Sequence, residues 1–188
     1  MMNLEMLDKA VRRVPDFPKP GILFYDITGV LVNPEALRFC IDQMVQKYKD
    51  AKIDAVAAVE SRGFIFAAPF AERLGIPLVL IRKKGKLPGD TYECSYALEY
   101  GTATVEVHKS DVKKGQKFLV VDDLIATGGT LAAAKNLIEQ GGGEVTDFFG
   151  VIGLPALACS SRREASRTCP GSIWARASSS GRTPMRRR

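Results

Sequence analysis

An α/β fold with a mainly parallel sheet flanked by helices is the architecture this chain predicts, and three observations carry it. Apolar, β-rich runs recur at Ile53–Val59, Pro77–Ile81, Lys117–Val121 and Glu144–Leu154. Segments with helical spacing of apolar residues lie between them. The runs are near-continuous rather than alternating, which is the pattern of strands covered on both faces. Strand–helix–strand alternation of this kind builds a parallel sheet with helices packed on it.

Each element has its own local signal. Asn33 can cap a helix that has Pro34 at its first position, and Leu37, Ile41, Met44, Val45 and Tyr48 then recur along one face. Phe64–Leu74 and Thr130–Glu139 repeat this spacing, and the second ends at Gly141-Gly142-Gly143. Lys83–Thr104 contains Gly85, Pro88 and Gly89 with little periodicity, so a long loop and hairpin is expected there. Long loops in compact domains are more often functional than idle.

At 188 residues the chain fits one domain with a sizeable core. No apolar run approaches the roughly 20 residues of a membrane span. Met1–Arg13 carries Glu5 and Asp8, unlike a signal peptide. Cys40, Cys94, Cys159 and Cys169 show no CxxC spacing, so reduced thiols and a cytoplasmic location are expected, with no membrane partner. The lone histidine, His108, follows the alternating stretch Thr102–Val107 and reads as a surface strand residue rather than a catalytic base.

The net charge of +6 could point to nucleic acid, but its location argues otherwise. Residues 156–188 hold eight arginines, no lysine and one acid, a net +7, and the remaining residues sum to −1. The basicity belongs to the tail, so no nucleic-acid partner is expected for residues 1–155.

The most informative segment is Val120-Val121-Asp122-Asp123-Leu124-Ile125-Ala126-Thr127-Gly128-Gly129-Thr130. An apolar strand delivers two acids, and a small-residue turn then opens a helix. Ala126, Gly128 and Gly129 let backbone approach a bulky anion, toward which the free N–H groups of the helix start point. Thr127 and Thr130 add hydroxyl donors. Asp122 and Asp123 suit a vicinal diol, since each carboxylate accepts hydrogen bonds from hydroxyl groups.

This string resembles the signature of the type I phosphoribosyltransferases. Further pieces carry the resemblance: Pro15-Asp16-Phe17-Pro18 with Gly21-Ile22-Leu23-Phe24, then Glu60-Ser61-Arg62-Gly63-Phe64, Arg82-Lys83-Lys84-Gly85-Lys86-Leu87-Pro88-Gly89, and Tyr96-Ala97-Leu98-Glu99-Tyr100-Gly101. They follow the family's order and spacing over roughly residues 3–155, and the resemblance is to the members that act on adenine. It implies the type I phosphoribosyltransferase fold, with a small N-terminal hood and a long flexible loop. It also implies phosphoribosyl transfer from phosphoribosyl pyrophosphate to adenine, giving AMP and pyrophosphate, with Mg²⁺ bound through the substrate and no direct metal ligand. A cytoplasmic homodimer is implied as well.

The roles implied by resemblance are specific. Asp122, Asp123, Ala126, Thr127, Gly128, Gly129 and Thr130 would hold ribose 5-phosphate. Ser61, Arg62, Arg82, Lys86 and Tyr100 would hold pyrophosphate, partly from a neighbouring subunit, with a non-proline cis peptide at Glu60–Ser61. Glu99 would be the acid–base residue. Phe24 would stack on adenine while the backbone of Leu23 and Tyr25 reads its edge; Tyr25 stands where some relatives have arginine. A transferase for another purine and a non-catalytic regulator that binds DNA are the alternative readings. The regulator has only the Arg-rich tail in its favour, because residues 1–50 show no helix-turn-helix pattern. After the Val145–Leu154 run the family continues with a helix and a last apolar strand, which residues 156–188 do not match. That tail, with seven serines and eight arginines, is expected to lie outside the fold, as a shifted reading frame or a lineage-specific extension.

Overall fold

The structure, a computed structural model, describes residues 4–97, 101–125 and 128–153. The sheet has six strands in the order β5-β6-β4-β3-β7-β8. These are β3 (Ala55–Val59), β4 (Leu78–Lys83), β5 (Thr91–Ala97), β6 (Thr102–His108), β7 (Lys117–Ile125) and β8 (Glu144–Gly153). β3 runs parallel to both β4 and β7, and β7 is parallel to β8. The parallel core expected from the apolar runs is therefore present.

Period-two alternation splits the strands between two cores. Ala55, Ala57, Val59, Phe118 and Val120 pack with α5 (Gly129–Gln140), through Ala133, Leu137 and Ile138. Val56, Ala58, Leu119 and Val121 pack on the opposite side against α3 (Pro34–Tyr48) and α4 (Gly63–Leu74). Burial on both faces is what makes these strands continuously apolar. The Asn33 cap forms as expected, its side chain accepting from the N–H groups of Glu35 and Ala36. α4 ends at Gly75, whose φ of 66° is the left-handed conformation of a helix C-cap.

One expectation is met and one is corrected. The hairpin expected within Lys83–Thr104 is present: β5 and β6 pair antiparallel at seven positions and widen the sheet. Tyr92, Cys94 and Tyr96 pack against the α5 core from this hairpin, so apolar burial overrides the weak periodicity. β7 runs on to Ile125, so Asp122 and Asp123 lie inside the strand rather than at its end. Parallel pairing with β8 continues as far as Ile125 opposite Gly153 and holds them there. His108 ends β6, half-buried.

The N-terminal hood is a separate two-stranded antiparallel ribbon of β1 (Arg12–Pro15) and β2 (Leu23–Asp26), beside α1 (Leu4–Ala10) and α2 (Thr28–Leu31). Its turn carries a cis Phe17–Pro18 peptide, and the Asp16 carboxylate accepts from Gly21 N–H at 2.7 Å. Among the described residues no helix is long and apolar enough to cross a membrane.

Candidate active site

The order in which strands are added to the sheet reverses between β3 and β7, which run parallel. From β3 the chain moves to β4 on one side, and it returns to β7 on the other. Helix α4 follows β3 onto one face, and α5 follows β7 onto the opposite face. A crevice opens at the carboxyl ends of strands at such a reversal, and it is where α/β sheets bind ligands. Register brings the right segments there: Ala58 pairs with Val121 and Val59 with Ile81, so the chain after each of these three strands emerges side by side.

The segment after β3 is Glu60-Ser61-Arg62, with a cis Glu60–Ser61 peptide, as the resemblance implies. Gly63 then begins α4 at a close approach: a Cβ there would meet the Val121 carbonyl oxygen at 3.0 Å and Asp122 Cα at 3.3 Å, tighter than ordinary contact. This close approach sets the start of α4 directly against the acids of β7. Arg62 Nε donates to Asp123 Oδ2 at 2.6 Å, and the Arg62 side chain stays 45% exposed. One nitrogen is thus spent on the acid pair while the rest of the guanidinium faces outward.

Asp122 and Asp123 are both buried. Asp122 Oδ1 accepts from the N–H of Asp123 at 2.8 Å. Burial, and then the adjacent Asp123 charge, push the Asp122 carboxyl up to about 8. Gly128, with φ of 84°, supplies the left-handed turn before α5, and Gly129 and Thr130 form its first turn. Thr130 Oγ1 donates to the Tyr96 hydroxyl at 3.5 Å, which brings the hairpin end beside this turn.

A stability prediction arises here. A carboxyl with a raised native pKa binds more protons in the folded than in the unfolded chain. Its cost to stability is therefore absent below about pH 4 and full above about pH 8. Asp122→Asn keeps the oxygen that accepts from Asp123 and removes the charge. The ligand-free variant should gain on wild type as pH rises, by an amount on the order of a few kcal/mol at pH 8–9. Paired thermal melts from pH 5 to 9 read this difference directly. A difference that stays flat with pH contradicts it.

The segment after β4 is held by two acids. Glu60 accepts from Lys83 N–H at 3.0 Å and from Arg82 Nη2 at 3.2 Å. The Lys83 bond, outweighing burial with help from Arg82, holds the Glu60 carboxyl below its usual range. Arg82 Nη1 donates to the Lys86 carbonyl at 3.1 Å, and its buried Nε has no hydrogen-bond partner among the described residues. Arg82 is thus built into the turn that carries Lys86.

In the hood, Leu23, Phe24 and Tyr25 lie on β2. Phe24 meets Phe17 edge-on, with ring centroids 5.1 Å apart. Asp26 accepts from the Thr28 hydroxyl and N–H, and these two bonds lower the Asp26 carboxyl, with a lesser contribution from the Arg12 and Arg62 charges. Tyr25 and Leu124 join the core on the α4 side.

Of the residues singled out from sequence, Ser61, Arg62, Asp122 and Asp123 gather at the crevice, with Gly128–Thr130 opening the helix that follows β7. Arg82 joins them through Glu60. Glu99, Tyr100, Ala126, Thr127 and the tail 156–188 lie outside the described residues. Sequence reasoning passed over Glu60, Glu106, Phe17 and Tyr96 as working residues. Glu60 offered a usable signal, an acid directly after a buried strand. Glu106 offered none, since an acid between Val105 and Val107 reads as the wet face of a strand.

The sequence matches the family described as Phosphoribosyl transferase domain over residues 28–167. An adenine phosphoribosyltransferase of Treponema denticola is 68% identical over 157 residues, spanning 84% of this chain and 83% of the relative. The crystal structure of adenine phosphoribosyltransferase from Thermoanaerobacter pseudethanolicus superimposes with a TM-score of 0.84 at 42% identity, covering 91% of this chain and 98% of that one. The Saccharomyces cerevisiae adenine phosphoribosyltransferase, crystallised with an imino-altritol bisphosphate and adenine, has a TM-score of 0.79 at 34% identity, covering 90% of this chain and 96% of that one.

Proposed function

This chain belongs to the phosphoribosyltransferase family, and from that premise we propose that it transfers the phosphoribosyl group of phosphoribosyl pyrophosphate to adenine, releasing AMP and pyrophosphate. The observation that carries this reading is the buried Asp122–Asp123 pair, tied to Arg62 and followed by the start of α5, at the point where the strand order reverses. The named relatives at 68% and 42% identity support adenine as the base.

The chemistry follows from the parts. Adenine N9 attacks the anomeric carbon as the bond from that carbon to pyrophosphate oxygen breaks, through an oxocarbenium-like transition state. Asp122 and Asp123 accept from the ribose hydroxyls. Gly128, Gly129 and Thr130, with Ala126 and Thr127, supply N–H and hydroxyl donors to the 5-phosphate. Ser61, Arg62, Arg82, Lys86 and Tyr100 stabilise the charge that gathers on the leaving pyrophosphate. Phe24 stacks on the base, and the outer edge of β2 offers the backbone of Leu23 and Tyr25 to its polar rim. Glu99 takes the proton from the imidazole side of the base.

By the family resemblance Mg²⁺ would be carried by phosphoribosyl pyrophosphate rather than by a protein ligand set, with Asp122 and Asp123 facing the ribose hydroxyls, and it would help neutralise the pyrophosphate charge. By the family resemblance the enzyme works as a homodimer in the cytoplasm.

The test is AMP formation with phosphoribosyl pyrophosphate, Mg²⁺ and a panel of adenine, hypoxanthine, guanine and xanthine. Adenine should give the highest kcat/KM by about two orders of magnitude or more, because a site built for one set of donors and acceptors leaves buried groups unpaired with another. Equal turnover of another purine overturns the assignment of the base.

A further inference from the structure

Glu106 lies on β6 between two core valines, opposite Arg82 of β4, and is only 3% exposed. Its Oε1 accepts from the N–H groups of Lys86 and Leu87, each at 2.8 Å. Burial alone would raise this carboxyl, yet the N–H groups of Leu87, Gly85 and Lys86 bring it below its ordinary range, so it stays charged. The turn it holds is already closed by Lys86 N–H to the Lys83 carbonyl at 3.2 Å and gripped by Arg82 at the Lys86 carbonyl. A buried charge is not needed to close such a turn, and burying one is unfavourable unless it is well paired. What it adds is a fixed orientation for the Lys86 and Leu87 peptide planes, and so a fixed starting direction for the Lys86 side chain.

We propose that Glu106 is a positioning residue for pyrophosphate: through the backbone of Lys86 and Leu87 it sets where the Lys86 ammonium is presented. The inference rests on the assignment of Lys86 to pyrophosphate given above. Glu106 touches no reacting atom. It acts by removing the freedom of a cation that must be in place when the leaving group departs.

The experiment measures KM for phosphoribosyl pyrophosphate and adenine in the forward direction, and for pyrophosphate and AMP in reverse, in Glu106→Ala, Glu106→Asp, Glu106→Gln, Lys86→Ala and the double variant Glu106→Ala with Lys86→Ala. Alanine, and aspartate with its shorter reach, should raise KM for the two pyrophosphate-bearing ligands about tenfold while adenine and AMP stay within about twofold. Glutamine keeps the acceptor in place and should restore values near wild type. The double variant should be no worse than Lys86→Ala alone, the sign that both act on one contact. Equal loss for all four ligands, or additive effects in the double variant, overturns the proposal in favour of a merely structural carboxylate. If Glu106→Ala fails to fold, the aspartate and glutamine pair decides the matter: an aspartate variant with unchanged KM for pyrophosphate overturns it. A Lys86→Ala enzyme with unchanged KM for pyrophosphate instead removes the assignment of Lys86, a failure distinguishable from that of Glu106.

Discussion

Replacing Asp122 and Asp123 together by asparagine is expected to weaken phosphoribosyl pyrophosphate by roughly 10²-fold or more, because each charge-assisted hydrogen bond lost is worth about 1.5–3 kcal/mol. Adenine should stay within a few-fold. Two adjacent acids, one of them with a strongly raised pKa, are an unfavourable arrangement for the ligand-free fold. Arg62 offsets part of this by pairing with Asp123, and the N–H of Asp123 offsets part by donating to Asp122. The rest is a cost carried by the empty crevice and relieved by a ligand whose hydroxyls donate to both carboxylates. Asparagine has nearly the same shape and accepts weakly, so the loss should appear in ligand affinity rather than in folding. Calorimetric titration of phosphoribosyl pyrophosphate and of adenine, separately, checks it. Equal weakening of the two ligands would place the acids outside the ribose site.

The same residues show how far sequence reasoning reaches and where it stops. The β7–α5 junction was legible because each part has a local cause: apolar strand, acids, left-handed Gly128 and a helix start lie within a dozen residues. The Asn33–Pro34 helix start was legible for the same reason. Tertiary pairing was not. Nothing local to β7 says that it continues through Ile125, because that depends on eight paired positions with β8. Arg62 reads as a free cation in its tripeptide, yet the approach of Gly63 to Val121 places it on Asp123, 61 residues away. Arg82 reads as a pyrophosphate cation, but nothing local to it shows that Glu60 and the Lys86 carbonyl bind it into the turn. Glu106 is the extreme case. Its role exists only because β4 and β6 pair and fold the Lys86–Leu87 turn over it.

Glu99→Leu is expected to lower the chemical step by about 10²–10⁴, the usual contribution of a general acid–base group, with ligand affinities kept within a few-fold. Glu99 itself lies outside the described residues, so the case rests on the family resemblance and on the elements that flank it. β5 ends at Ala97 and β6 resumes at Thr102, with these two residues paired, so the intervening segment begins and ends at one end of the hairpin. That end lies against the ribose-phosphate turn, where Thr130 meets the Tyr96 hydroxyl at 3.5 Å. Glu99 is three residues beyond Tyr96, and three residues reach at most about 10–11 Å. Leucine approximates the bulk of glutamate and removes the carboxylate, so proton transfer should be lost. Single-turnover formation of AMP isolates that step from product release. A rate equal to wild type under those conditions would leave Glu99 without a part in proton transfer. The base would then have to be sought among the groups that face the crevice.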